Sequence, residues 1–160
     1  MKPVCVVSCP IDTFSGYGAR SRDFVRSLIK EKDSEWDIKI MPQRWGDCPW
    51  NFLSKDDPLR KRFIGQLSQK PAVWMQITVP NEFQPVGQYN VGVTAGIETT
   101  IFPGNFIEGM NKMDLNLVSS QHSKDVAQRT ILEKKNPQGQ VEGQVKLEKP
   151  CEVLFEGLDL

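Results

Sequence analysis

The chain has 160 residues, 39% of them hydrophobic, and its 20 Lys and Arg are balanced by 20 Asp and Glu. That length suits one core of ordinary size that needs no disulfide staples. The charge balance excludes a broad basic surface for a nucleic-acid backbone, and no apolar run reaches the roughly 18–20 residues that span a bilayer. The opening run, Val4 to Cys9, breaks at Pro10 and Asp12, too soon for a signal-peptide core. Four scattered cysteines, Cys5, Cys9, Cys48 and Cys151, fit reduced thiols in the cytoplasm. On one strand Cys5 and Cys9 would stand about 13 Å apart, too far to share a metal ion.

In chain order, Pro3 to Cys9 is predicted as a buried strand. A loop from Ile11 to Gly18 follows, then a helix with Phe24, Val25, Leu28 and Ile29 on one stripe and Arg20, Arg22, Arg26 and Lys30 off it. Trp36 to Ile40 alternates apolar and charged residues as a half-exposed strand does, and Pro42 ends it. Residues 43–56 read as an ordered loop rich in Trp, Pro and Asp. Asp57-Pro58 reads as a cap and first-turn proline for a helix carrying Leu59, Phe63, Ile64 and Leu67. Ala72 to Val79 and Tyr89 to Ala95 are near-continuous apolar runs, as expected of central parallel strands. A short helix near Pro103 and a strand at Leu115 to Val118 follow. Ser119 and Ser120 are predicted to cap a helix with Val126, Ala127, Ile131 and Leu132. Residues 134–149 read as a flexible surface loop or hairpin, and Cys151 to Phe155 as a last strand.

About six strands alternating with helical segments predict a single α/β domain. The expected architecture is a Rossmann-like, doubly wound, mostly parallel sheet with helices on both faces. Ligands of such folds gather at the carboxyl ends of the strands, which directs attention to loops 10–18, 42–50, 79–88, 94–100 and 119–121. Ser15-Gly16-Tyr17-Gly18 can turn backbone amides toward an anion, with the positive end of the following helix behind them. The dinucleotide-cofactor fingerprint fits poorly. Six residues separate Cys9 from Gly16, and Met41-Pro42-Gln43-Arg44 supplies no ribose-binding carboxylate after the second strand. No phosphate loop ending in Gly-Lys-Ser/Thr occurs. The single histidine, His122, falls in a helix's first turn, a capping or solvated position.

Four segments together resemble the N-terminal domain of GT-B glycosyltransferases of family four, the glycosyl transferases group 1 type. They are SGYGARSR at 15–22, WMQITVPNEFQPVGQYNVGVTAGIETT at 74–100, MDLNLVSSQHSK at 113–124 and VLFEGLD at 153–159. The resemblance covers residues 4–159 and implies two facing Rossmann domains, the first holding the acceptor and the second the nucleotide-diphosphate sugar. It implies that the donor-binding residues lie in the second domain, that this half transfers little sugar alone, and that it has a second Rossmann domain or a further copy as partner. It implies no metal or cofactor on this domain. A non-catalytic carbohydrate-binding or assembly module of the same fold is the alternative.

Carried over by position, Gly16 and Gly18 match the glycine loop at the donor diphosphate, flanked by Ser15 and Tyr17. Asn81 and Glu82 stand where many relatives carry a histidine beside the transferred sugar, and are the polar candidates there. Thr94, Gly96 and Glu98 follow the next strand, where a carboxylate would accept a hydrogen bond from the acceptor or else cap the next helix. Ser120 either touches phosphate or caps its helix. Trp45 and Trp50 either stack on an acceptor sugar or anchor their loop.

Overall fold

β-Branched, apolar stretches too short for stable helices form the strands that organise the chain. The computed structural model describes residues 1–157. Six strands build the main sheet: β1 (Val4–Cys9), β2 (Asp37–Pro42), β3 (Val73–Ile77), β4 (Tyr89–Val93), β5 (Leu115–Val118) and β8 (Cys151–Val153). They are all parallel and lie in the order β2-β1-β3-β4-β5-β8. Helices α1 (Gly16–Lys32), α2 (Gly104–Met110) and α3 (Gln121–Arg129) connect them. This is the expected Rossmann-like, doubly wound sheet.

Alternation along each strand sorts the side chains into two layers. Cys5, Val7 and Cys9 of β1 join Ile77, Val91 and Val93 under Val25, Phe24 and Leu28 of α1. On the other face Val6, Trp74 and Val118 meet Ile107 and Met110 of α2 and Val126 and Ala127 of α3. Met75, Leu115 and Leu117, on the α1 face, stay half-buried. The strand order reverses between β1 and β3, so the carboxyl ends of these two strands flank the crevice where ligands of wound sheets collect.

Buried amides within the α2/α3 layer hold the loops in place. Gln76 donates to the Glu82 carbonyl at 3.0 Å and accepts from the Gln84 amide at 2.9 Å. Asn90 exchanges two bonds with the backbone of Gly87, and Asn116 donates to the Met110 carbonyl at 2.9 Å. These partners satisfy donors and acceptors whose unpaired burial would cost about 1–3 kcal/mol each, although Asn116 Oδ1 is buried without a partner among the described residues.

Two expected elements come out differently. The segment after Asp57-Pro58 makes only a 3-10 turn, Pro58–Arg62. It stops because Phe63 pairs in parallel with Ile40 and the Ile64 amide donates to the Ile40 carbonyl at 2.8 Å, extending the chain along the edge of β2. Helix α3 ends at Arg129, two residues before Ile131 and Leu132. The Thr130 hydroxyl donates to the Val126 carbonyl at 2.7 Å and accepts from the Phe102 amide at 3.1 Å, and Ile131 begins a strand. Of the loop and the hairpin expected for residues 134–149, the hairpin is what forms. Most of them belong to an antiparallel hairpin of β6 (Ile131–Lys135) and β7 (Val141–Lys146), whose turn is built on Asn136 and Gly139 at φ +82°. Val145 and Leu147 dock this hairpin on the α2/α3 layer. Among the described residues no helix is long and apolar enough to cross a membrane.

Burial pushes the thiols of Cys5 and Cys9 up to about 12 and that of Cys151 up to about 11. A raised value means that the folded chain keeps protons which the unfolded chain releases. The associated stability is complete below the ordinary thiol value of 9.0 and is lost as pH rises through the folded values. With a chromogenic thiol reagent at mildly alkaline pH, Cys48 alone is expected to react before denaturation; rapid reaction of a second thiol would contradict this burial. Gly109→Ala should lower the urea midpoint, with a loss of about 1–3 kcal/mol from overpacking, although helix propensity alone favours Ala by about 1 kcal/mol. The added Cβ would lie 1.8 Å from the Pro80 carbonyl oxygen. Gly143→Ala, where nothing lies within 4 Å, should not lower it.

Candidate functional site at the carboxyl edge

Ser15 caps α1: its Oγ accepts from the Gly18 amide at 2.9 Å and pairs with Thr13 Oγ1 at 2.8 Å. The turn needs glycine at 18, where a Cβ would lie 2.4 Å from the Thr13 carbonyl oxygen, whereas Gly16 has open space. Among the described residues the amides of Gly16 and Tyr17 have no acceptor, and they sit at the positive end of a 17-residue helix. The Gly18 amide and the Ser15 oxygen satisfy one another, so two of the three amides stay open to an anion.

Tyr17 joins this turn to its neighbours. Its hydroxyl lies 3.1 Å from Thr94 Oγ1 and accepts from the Ala95 amide at 3.2 Å. Since β3 lies between β1 and β4, the side chain spans the end of β3. Its ring packs on Trp45 with centroids 4.3 Å apart. Beyond Thr94, the Ser119 hydroxyl donates to the Ala95 carbonyl at 2.6 Å. Ser123 Oγ donates to the Ile97 carbonyl at 3.1 Å and fills the space that a Cβ at Gly96 would need, with Gly96 at φ +85°. Ser120 caps α3 by accepting from the Ser123 amide at 3.1 Å. Loops after β1, β2, β4 and β5 are thus linked through Trp45, Tyr17, Thr94 and Ser119.

The other sequence-derived candidates stand around this link. Asn81 and Glu82 lie in the 3-10 turn Pro80–Glu82 after β3; both are exposed, and Thr78 donates to the Glu82 carboxylate through its hydroxyl. Glu98 is exposed on the loop after β4. Among the described residues neither carboxylate bonds to the Tyr17 link. Trp50 is half-buried, bridges to Thr13 through the backbone, and has the Arg44 guanidinium 5.9 Å from its ring. The Trp45 ring thus packs on Tyr17, the Trp50 backbone pairs with the β1 loop, and both rings stay half-buried. His122 reaches the Thr99 carbonyl at 3.1 Å, consistent with a solvated loop contact.

Several residues that shape the site do not stand out in the sequence. Arg22 is buried, not on the solvated side of its helix; its Nη1 donates to the carbonyls of Thr13 at 2.9 Å and Ile11 at 3.1 Å. Burial first, and then the Arg26 charge, hold its guanidinium below the usual arginine value. The spacing carries a signal: Arg22 lies three residues before the fully buried Val25, on the core side of a 3.6-residue period. Asp12, also buried, accepts from the Leu53 amide at 2.8 Å and from Arg60 Nη2 at 3.1 Å, so it ties the β1 loop to residues 53 and 60. A groove of about 590 Å³ along α1, lined by Arg26, Lys30 and Lys61 among others, involves none of these residues.

Tyr17→Phe should cost about 0.5–1.5 kcal/mol, the worth of its hydrogen bonding, and should speed hydrogen exchange at the Ala95 amide while leaving the Trp45 contact in place. Unchanged exchange at Ala95 would argue against the link. No protein-family model, curated protein or solved structure matches this chain.

Proposed function

We propose that this chain is the acceptor-side domain of a GT-B glycosyltransferase of the family-four, group 1 type, acting in the cytoplasm on a nucleotide-diphosphate sugar and a hydroxyl acceptor. The observation that carries the reading is the junction at Tyr17, which joins the glycine turn after β1 to the loop bearing Thr94, Gly96 and Glu98, across the point where the strand order reverses. Open amides at Gly16 and Tyr17, backed by the α1 dipole, are suited to a diphosphate leaving group. In the reaction the acceptor oxygen bonds to the anomeric carbon, the bond from that carbon to the diphosphate oxygen breaks, and the hydroxyl proton passes to a base. Glu82 and Glu98 are the carboxylates on this rim. Thr78 engages one oxygen of Glu82 and leaves the other for a hydroxyl. Positioning and electrostatics would supply most of the rate. The nucleotide and sugar would be held mainly by a second Rossmann domain, so the isolated chain should transfer little.

A non-catalytic carbohydrate-binding or assembly module is the second reading. It is favoured by the commitment of Ser15 Oγ to the Gly18 amide, which leaves a smaller anion cradle. Amide-resolved NMR titration with uridine, guanosine and adenosine diphosphates separates the two. Shifts centred on Gly16 and Tyr17 are expected for at least one of them. Their absence with all three, while glycans still bind, would favour the module.

A further inference from the structure

Two large aromatic side chains on the carboxyl edge, Phe14 and Phe52, play no part in the core. Phe14 is 54% and Phe52 45% exposed, and their rings meet edge to face with centroids 5.0 Å apart. We propose that this pair is the subsite that receives the apolar face of a pyranose ring, which makes the acceptor a glycan. The proposal rests on the glycosyl-transfer reading and names its acceptor class.

The platform is held rigidly from below. The Phe14 amide donates to the Pro49 carbonyl at 3.0 Å, the Phe52 amide donates to the Asp12 carbonyl at 3.1 Å, and Thr13 bridges to Trp50 between them. Arg22 lies against one face of the Phe52 ring, its guanidinium carbon 3.5 Å from the centroid, so that face is filled by a buried cation that is itself tied to two carbonyls. A ring fixed in this way loses little freedom when a ligand arrives. Two side chains are far too small for a protein partner, which needs about 800 Å² per side, but they match one sugar ring. Asn51, between Trp50 and Phe52, has φ 65° and is exposed; its amide offers both a donor and an acceptor, as a hydroxyl requires. Phe14 also directly precedes Ser15, the cap of α1, so a ring on the platform lies beside the proposed diphosphate turn. Trp45 packs on Tyr17 and Trp50 has Arg44 near its ring, so both are half-buried, whereas Phe14 and Phe52 form an exposed pair of rings in mutual contact.

The test is an NMR titration of the whole chain, following the aromatic signals of Phe14 and Phe52, with the methyl pyranosides of glucose, galactose and mannose. Benzyl alcohol and uridine diphosphate serve as separate arms. At least one pyranoside should shift both rings, and Phe14→Ala should weaken that binding about fivefold, equivalent to about 1 kcal/mol. Phe52→Leu, which keeps apolar cover over Arg22, should weaken it similarly and guards against misfolding of a smaller replacement. Ring shifts with benzyl alcohol and none with any pyranoside would overturn the proposal, as would pyranoside binding that ignores both substitutions. Diphosphate shifts at Gly16 and Tyr17 without pyranoside shifts would sink the subsite and leave the transfer reading standing. Pyranoside shifts alone would uphold the subsite and turn the reading toward a carbohydrate-binding module.

Discussion

A parallel sheet covered on both faces leaves chemistry only one place to go. With α1 over one side and α2 and α3 over the other, the strand faces are given to packing, and polar side chains that must meet a ligand can stand only where the strands end. The same constraint burdens the loops. Each leaves a buried strand and must satisfy its own backbone, and here the anchors are amide side chains within the sheet, Gln76, Asn90 and Asn116, whose bonds fix the turns after β3, before β4 and before β5.

Around the β1 loop the anchoring is electrostatic. The buried Asp12 pairs with the half-buried Arg60 and also takes the Leu53 amide, and Arg22 gathers the carbonyls of Ile11 and Thr13. Losing Arg60 would leave the buried Asp12 carboxylate without its cation, which costs more than losing one partner of a fully exposed pair. Rigidity of the glycine turn, of Phe14 and of Phe52 follows from this substructure rather than from the turn's own sequence. The aromatic rim and the two open amides are two faces of one construction.

The sheet was legible because its strands carry a simple signal, short and largely apolar runs closed by proline, by glycine or by a serine pair that caps the next helix. Val4–Cys9, Val73–Ile77, Tyr89–Val93 and Leu115–Val118 fall where the pattern puts them. The elements that differ are those decided by long-range pairing. Nothing local in Phe63 and Ile64 announces a partner at Ile40, and Thr130 ends α3 with a hydroxyl that serves Val126 and Phe102 together. Within the site, capping by Ser120 could be read from residue type, because the cap is local, whereas Ser15, expected beside a diphosphate, also proves to be a cap. The reach of Tyr17 to Thr94 across 77 positions could not, and neither could the burial of Arg22, whose charge argued for solvent while its helical phase argued for the core.

A side chain that bridges the sheet's rim also changes what counts as a separable part. Positions 17, 45 and 94 lie far apart in the chain, yet the ring at 17 rests on one and its hydroxyl on another. Grafting residues 42–50 from a different protein, or shortening the stretch after Val93, would therefore disturb the glycine bend without altering a residue in it. An engineer wishing to retarget this domain has to exchange those three stretches together, as a single cassette.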